Sequence, residues 1–362
     1  LTAPDFVTLS ARAAAVLAAV PAAVQSGEQS PALYGLGFLG NWILSDLGAA
    51  GIRFSALIDA NPALAGKSIC SVPVQAPETL SAATTGFVFI AARHAVLPIA
   101  SRLSALGIAH VSADAFYVAR DFAAFRAIHD EMLDDERSKA VLRAVMMTML
   151  TGDRAHVMAV FEKDQYFCLP QFSGIEKEIY VDAGAYVGDS LERFIWTHYG
   201  VFRKAIAFEP GARQFRSLEA RTKRLAEEWA LDAGQIELVP AALGEKAGVA
   251  TAESHSGQMT SLSLDAAGAE EIRIESLDLY LAGGPISFLK ADVEGMEMAL
   301  LRGAAETIKK YRPKLAICVY HYPSDIPVIS HYLKSLVPGY RFALRHHSPQ
   351  FMETVLYAWV ET

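Results

Sequence analysis

The chain has 362 residues, 52% of them hydrophobic and 20% charged, with a formal net charge of −8. That length exceeds what one hydrophobic core usually serves and predicts two domains. The acidic balance excludes a basic nucleic-acid footprint, and no apolar run approaches the ~18 residues that mark a membrane-spanning helix. The three cysteines, Cys70, Cys168 and Cys318, are too few and too scattered for a disulfide framework or a zinc site, and a cytoplasmic location is expected.

Residues 11–24 are Ala-rich but lack a positive leader, so they read as a first helix stopped near Pro21 rather than as a signal segment. Residues 32–34 form a short apolar run, followed by Gly35-Leu36-Gly37-Phe38-Leu39-Gly40 and a helical stretch to about Ala50. A second strand over 54–58 ends on Asp59, a third covers 87–91, and a helix over 95–106 closes at Gly107. Strands alternating with helices imply a parallel sheet. A G-x-G-x-x-G turn between strand and helix, with an acid ending the next strand, is the setting of a dinucleotide fingerprint. Gly35, Gly37, Gly40 and Asp59 are therefore candidates to hold a nucleotide, a nucleotide-sugar or NAD, with a pyrophosphate at the helix N-terminus. The segment has room for only one mononucleotide-binding half, so a scaffold or dimerisation role, as in a homo-oligomer, competes with binding. Residues 119–150 contain neither Pro nor Gly and read as one or two linking helices, with the Met-rich run 145–150 used for packing.

A second series starts at Glu178. A strand over 179–181 leads into Asp182-Ala183-Gly184-Ala185-Tyr186-Val187-Gly188 and a helix to about His198. Strands follow over 205–208, ending at Glu209-Pro210, over 236–239 and over 286–290, the last running into Ala291-Asp292-Val293-Glu294-Gly295. A helix to Lys310, a strand over 315–319 and a closing hairpin from 340–344 and 354–360 complete the pattern. Residues 253–272, rich in small and polar side chains, are expected to form a lid, and His346-His347 a solvated loop pair. The expected fold is α/β: two Rossmann-like domains, the C-terminal one doubly wound with a terminal antiparallel strand. The expected divisions are a small domain over 1–118, a helical linker over 119–170 and the second domain over 171–362.

Glycines in the second turn allow a ligand to approach the backbone closely, and ligands of such sheets bind beyond the carboxyl ends of the strands. Glu209 ends the neighbouring strand, where a carboxylate can accept both ribose hydroxyls. That describes an adenosine-type pocket. Asp182 beside the turn is unfavourable to a phosphate and tolerates a cationic methionine moiety, which favours S-adenosyl-L-methionine over NAD.

The string from Val181 to Ser190, Phe208-Glu209-Pro210, the K-x-D-x-E-G-x-E string from Lys290 to Glu297, Leu300-Leu301-Arg302-Gly303-Ala304 and Arg312-Pro313-Lys314-Leu315 together resemble the FkbM family of methyltransferases. Residues 58–62, 66–67 and 72–74 likewise resemble the small Rossmann-like domains that precede sugar-modifying enzymes. The FkbM resemblance implies a class I methyltransferase fold, S-adenosyl-L-methionine as donor, and a hydroxyl acceptor, often a sugar, on a small molecule or glycan. Carried over by position, Asp182, Gly184, Ala185, Tyr186, Gly188 and Ser190 would line the methionine end. Glu209 would hold the ribose, and Ala241 and Ala242 would lie near adenine. An alcohol must lose a proton on methylation, so a base is needed nearby. Asp292 and His321 are equal candidates, Asp292 also as a donor contact, with Glu294 and Lys290 as acceptor-orienting groups. Lys290 is equally readable as a structural partner of Glu294. Carboxylates beside a histidine can hold Mg²⁺, but no metal requirement is expected. The alternative function is a nucleotide-sugar or NAD binding module with a non-catalytic methyltransferase-like half.

Overall fold

The computed structural model describes residues 4–174, 177–254, 260–263 and 270–361. After a helix over Phe6–Ala19, capped by the Asp5 carboxylate on the Thr8 amide, six short strands form the first sheet. They are β1 (Ala32–Tyr34), β2 (Ala56–Ile58), β3 (Ser68–Ile69), β4 (Val72–Gln75), β5 (Phe87–Ile90) and β6 (Ala109–Ser112), in the order β3-β4-β2-β1-β5-β6. All neighbours are parallel except β3 and β4. Alternate side chains of a strand point to opposite faces. Leu33, Leu57, Phe87 and Phe89 accordingly pack with Ile43 and Leu47 of helix Phe38–Ala49, while Tyr34, Ile58, Val88 and Ile90 pack with Ile99 and Leu103 of helix Val96–Ala105. Burial on both faces explains the unbroken apolar runs of these strands. The two strands β3 and β4 and the strand β6 are additions to the expected order. The strand expected over 54–58 begins only at Ala56.

Between the sheets lie helices Ala113–Arg120, Phe122–Ala127 and Glu136–Thr151, with a π-helical turn over Ile128–Met132. The helical stretch therefore begins before Ala119 and breaks into more pieces than the sequence pattern suggests. Helix Glu136–Thr151 is N-capped by Asp135 on the Ser138 amide. The Ser138 hydroxyl accepts from the Leu344 amide at 2.9 Å and from Arg345 at 2.6 Å, pinning the helix to the last hairpin. Val141, Leu142, Val145, Met146 and Met149 join the same core as Ile317, Phe342 and Leu344. Each fully buried side chain of this kind contributes about 1.5–3 kcal/mol relative to exposure.

The second half builds on β7 (Ile179–Ala183), β8 (Lys204–Phe208) and β9 (Ile236–Val239). A small sheet follows, ordered β10-β13-β11-β12, from β10 (Ala242–Leu243), β11 (Gly248–Ser254), β12 (Thr260–Ser263) and β13 (Glu270–Glu275). Of the expected lid, residues 253–254, 260–263 and 270–272 lie on this sheet, and residues 255–259 and 264–269 lie outside the described residues. The chain then adds β14 (Phe288–Ala291), β15 (Lys314–Cys318), β16 (Arg341–His346) and β17 (Thr354–Trp359). The main sheet runs β16-β17-β15-β14-β7-β8-β9, parallel from β9 to β15, with β17 antiparallel to both β15 and β16. The fold is the expected α/β pair of Rossmann-like sheets, and strand order reverses between β7 and β14, where such sheets open a crevice.

His346-His347 is not a solvated loop pair. His346 ends β16 at 1% exposure and bonds the Thr354 hydroxyl and the Gln350 carbonyl, because the hairpin folds over it. His347 bonds the Glu162 carbonyl and the Tyr357 hydroxyl. Burial pushes both imidazoles down to about 4. Among the described residues no helix is long and apolar enough to cross a membrane.

Candidate active site

The turn after β7 hangs from the end of β8. The amides of Gly184 and Ala185 both donate to the Phe208 carbonyl, at 3.0 and 2.9 Å. Gly184 has φ +74°, and a Cβ there would run into the carbonyl oxygen of Asp292, so the turn and the end of β14 meet through backbone alone. Gly188, at φ +85°, precedes helix Asp189–Thr197. Ala185 is buried, whereas Tyr186 is 41% exposed beside the turn. Glu209 is 7% exposed and accepts from the Tyr186 amide at 2.9 Å and the Gly211 amide at 2.8 Å. Burial raises its pKa, and those two amides oppose the rise. Each carboxylate oxygen retains a free lone pair for a ligand hydroxyl. Ala241 and Ala242 stand at the carboxyl end of β9, the neighbour of β8, and both are buried.

Beneath the turn, Asp182 is fully buried and paired with Lys290 at 3.0 Å, and its other oxygen accepts from Ser190 at 2.6 Å. The Lys290 ammonium also donates to the Gly184 carbonyl at 2.7 Å. Burial works against its charge, but Asp182 and then Asp292 outweigh it and hold its pKa above the ordinary lysine value. The partner of Lys290 is thus Asp182, not Glu294, and the ammonium is turned inward at 2% exposure.

A second group gathers where β14 and β15 end. The His321 Nε2 lies 3.3 Å from Glu294 and 3.7 Å from Asp292, and its Nδ1 lies 3.1 Å from Glu297. Glu294 adopts φ +52°, a left-handed conformation uncommon for a side chain of this size. Burial alone would lower the His321 pKa; Glu297, Glu294 and Asp292 outweigh it and hold the imidazole well above its usual range. Asp292 accepts from the hydroxyls of Tyr166 at 2.9 Å and Tyr320 at 3.2 Å. Glu353 approaches Tyr320 from the last hairpin and is pushed up to about 7 by burial and by Asp292. Asp325, buried behind Glu297 and His321, is likewise raised to about 7.

The expected site residues therefore form two adjoining groups: one around the Gly184 turn, Glu209 and Lys290, the other around Asp292, Glu294 and His321. Sequence reasoning missed Tyr166, Tyr320, Asp325 and Glu353. It also missed the role of Glu297, although that residue sits inside the motif read. The first half reaches this place as well. Phe38 stacks on Tyr322 at 5.2 Å and lies edge-on to His321 at 6.2 Å, and Trp42 stacks on Tyr322 at 4.6 Å. Arg93 donates to the Tyr320 carbonyl at 2.7 Å while paired with Asp114. Gly295 is needed at this contact: a Cβ would meet the Phe38 ring at 2.7 Å. Gly35, Gly37, Gly40 and Asp59 form their own turn in the first sheet.

Residues 182–343 match the sequence profile described as the methyltransferase FkbM domain. The C-terminal half carries an FkbM methyltransferase domain. This supports an enzyme that transfers a methyl group from S-adenosyl-L-methionine. In fold the chain is similar to a crystal structure of methyltransferase FkbM from Methylobacillus flagellatus KT, with 22% identity and a TM-score of 0.59, covering 97% of this chain and 98% of that one. The match thus extends across both halves. An rRNA methylase from Streptococcus thermophilus matches at 16% identity and a TM-score of 0.33, covering 52% of this chain and 90% of the other, too low a score to weigh further. No curated protein matches the chain.

Proposed function

We propose that this protein methylates a hydroxyl oxygen of a sugar or related small-molecule or glycan acceptor. Asp182, Gly184, Ala185, Tyr186, Gly188 and Ser190 surround or support the methionine end of the donor. Glu209 accepts from the ribose hydroxyls, and Ala241 and Ala242 flank adenine. The observation that carries the reading is the meeting of the Gly184 turn with Asp292, which sets a donor-binding backbone directly against a carboxylate and imidazole cluster.

In the transfer, an acceptor oxygen attacks the sulfonium methyl in line. The carbon–oxygen bond forms as the carbon–sulfur bond breaks, and the hydroxyl proton leaves to a base. Positioning supplies most of the rate. Asp292 is the base in this reading, with a side chain 20% exposed and held in orientation by two tyrosines. His321, set 3.3 Å from Glu294 and 3.7 Å from Asp292, orients both carboxylates, and Lys290 fixes the turn from below.

A second reading concerns the first half. The stacking of Phe38 and Trp42 on Tyr322 supports a role in shaping the acceptor face. A nucleotide or nucleotide-sugar held at Gly35, Gly37, Gly40 and Asp59 would then be part of the acceptor. In this reading the first domain covers 1–118, the linking helices 119–170 and the methyltransferase domain 171–362.

The test is methyl transfer from isotopically labelled donor to panels of sugars, nucleotide-sugars and matched amino-sugars. Label entering hydroxyl acceptors, and lost in Asp292→Asn, supports the reading. Label entering only amines, or no transfer with donor bound, contradicts it.

A further inference from the structure

We infer that Asp292, Glu294 and His321 form a binding site for a divalent transition-type cation at the acceptor side of the cleft. Its catalytic role rests on the methyltransferase reading; its existence does not. One ligand atom from each residue lies within 4.8 Å of the other two. The three lie one to three residues beyond the ends of two adjacent parallel strands, β14 and β15.

His321 is the telling residue. It is 5% exposed, and neither ring nitrogen makes an aligned hydrogen bond, although carboxylate oxygens stand 3.1–3.7 Å away. The two sides of the ring are not equivalent. On the Nδ1 side Glu297 already accepts from the Val293 amide at 2.9 Å, and Asp325 accepts from the Tyr322 amide at 2.6 Å. On the Nε2 side the side chains of Asp292 and Glu294 are 20% and 30% exposed to solvent. A carboxylate holding one imidazole nitrogen while the other ligates a metal is the usual outer support of a metal-bound histidine.

The charge balance points the same way. Asp292, Glu294, Glu297, Asp325 and Glu353 crowd around one imidazole. Lys290 is ion-paired with Asp182 and Arg93 with Asp114. One nitrogen and two carboxylate ligands suit Mn²⁺ or Zn²⁺ better than Ca²⁺, which takes six to eight oxygens. A cation there would lower the pKa of a bound acceptor hydroxyl and orient it.

The test uses full-length protein stripped with EDTA and titrated with MnCl₂, free Mn²⁺ being read by electron paramagnetic resonance, and in parallel with ZnCl₂ by calorimetry. No methyl donor is present. One saturable site per chain is expected. It should be lost in His321→Gln and weakened at least tenfold in Glu294→Gln, with Glu297→Gln weakening it about 10–100-fold as an outer support. Glu294 is partly exposed, so its variant keeps the test sound if His321→Gln unfolds. Absence of saturable binding of both ions, or binding unchanged in Glu294→Gln, overturns the site. Donor titration of the same samples separates the two readings: donor bound without a metal site sinks only this inference, and a metal site without donor binding sinks only the methyltransferase reading.

Discussion

The Gly35 turn of the first half and the Gly184 turn of the second are built on the same backbone hydrogen bonds. Gly35 donates to Ile58 as Gly184 does to Phe208. Ala91 donates to Tyr34 as Asp292 does to Ala183. Asp59 accepts from the Leu36 and Asn61 amides just as Glu209 accepts from Tyr186 and Gly211. The side chains inside this shared frame differ. Where the second half pairs Asp182 with Lys290 across β7 and β14, the first half pairs Leu33 with Phe89 across β1 and β5. Where the second half has Asp292, the first has Ala91. The strand–turn–acid frame is thus a folding solution shared by both halves, and in the proposed function a handful of charged residues sets the second copy apart.

Making the second copy resemble the first tests that lesson. The largest effect is expected for Lys290→Met, which leaves Asp182 charged and unpaired in the core. Loss of one partner of a buried pair costs about 3–5 kcal/mol, to be read by denaturant unfolding. The double variant Asp182→Leu with Lys290→Phe, which copies the first-half pair, should recover most of that stability while losing donor binding. Recovery of both would show that the ion pair has no role in the site.

Next in size, Asp292→Ala copies Ala91. Its expected effect is a fall in kcat of about 100-fold or more, the usual scale for a general base, with donor affinity little changed. Equal losses in kcat and donor affinity would instead make Asp292 a donor contact.

The last hairpin has no counterpart in the first sheet and gives the next prediction. His346 and His347 are held near pKa 4 by the fold and titrate near 6.5 once unfolded. Below pH 6.5 the unfolded chain takes up protons that the fold excludes. Their contribution is therefore complete above pH 6.5 and is lost as pH falls towards 4, by at most about 1.4 kcal/mol per pH unit for each. Asp325 and Glu353, raised to about 7, oppose this slope over the same range, so the effect is read as the difference between wild type and His347→Gln. A difference that does not vary with pH would contradict it. The smallest effect is expected from Phe38→Ala. Losing the stack on Tyr322 costs about 1 kcal/mol, and transfer should slow without loss of donor affinity.

Both frames were legible in the sequence because they are local: an apolar run, spaced glycines and an acid one strand later. What escaped was set by distant packing. Strands β3 and β6 are short and partly polar, and only pairing with neighbours makes them strands. Nothing near Tyr166 or Glu353 signals a site; the fold brings them to Asp292 from segments far away in the chain. His346 and His347 looked solvated because the hairpin that buries them is a tertiary feature. Lys290 was recognised as special, but its partner lies on another strand.

The most direct test of the claim that only the second frame binds the donor is calorimetric titration of S-adenosyl-L-methionine into wild type, Glu209→Ala and Asp59→Ala. Saturable binding abolished by Glu209→Ala and unchanged by Asp59→Ala is the predicted result. Binding lost in Asp59→Ala and kept in Glu209→Ala would put the donor in the first half and contradict the account.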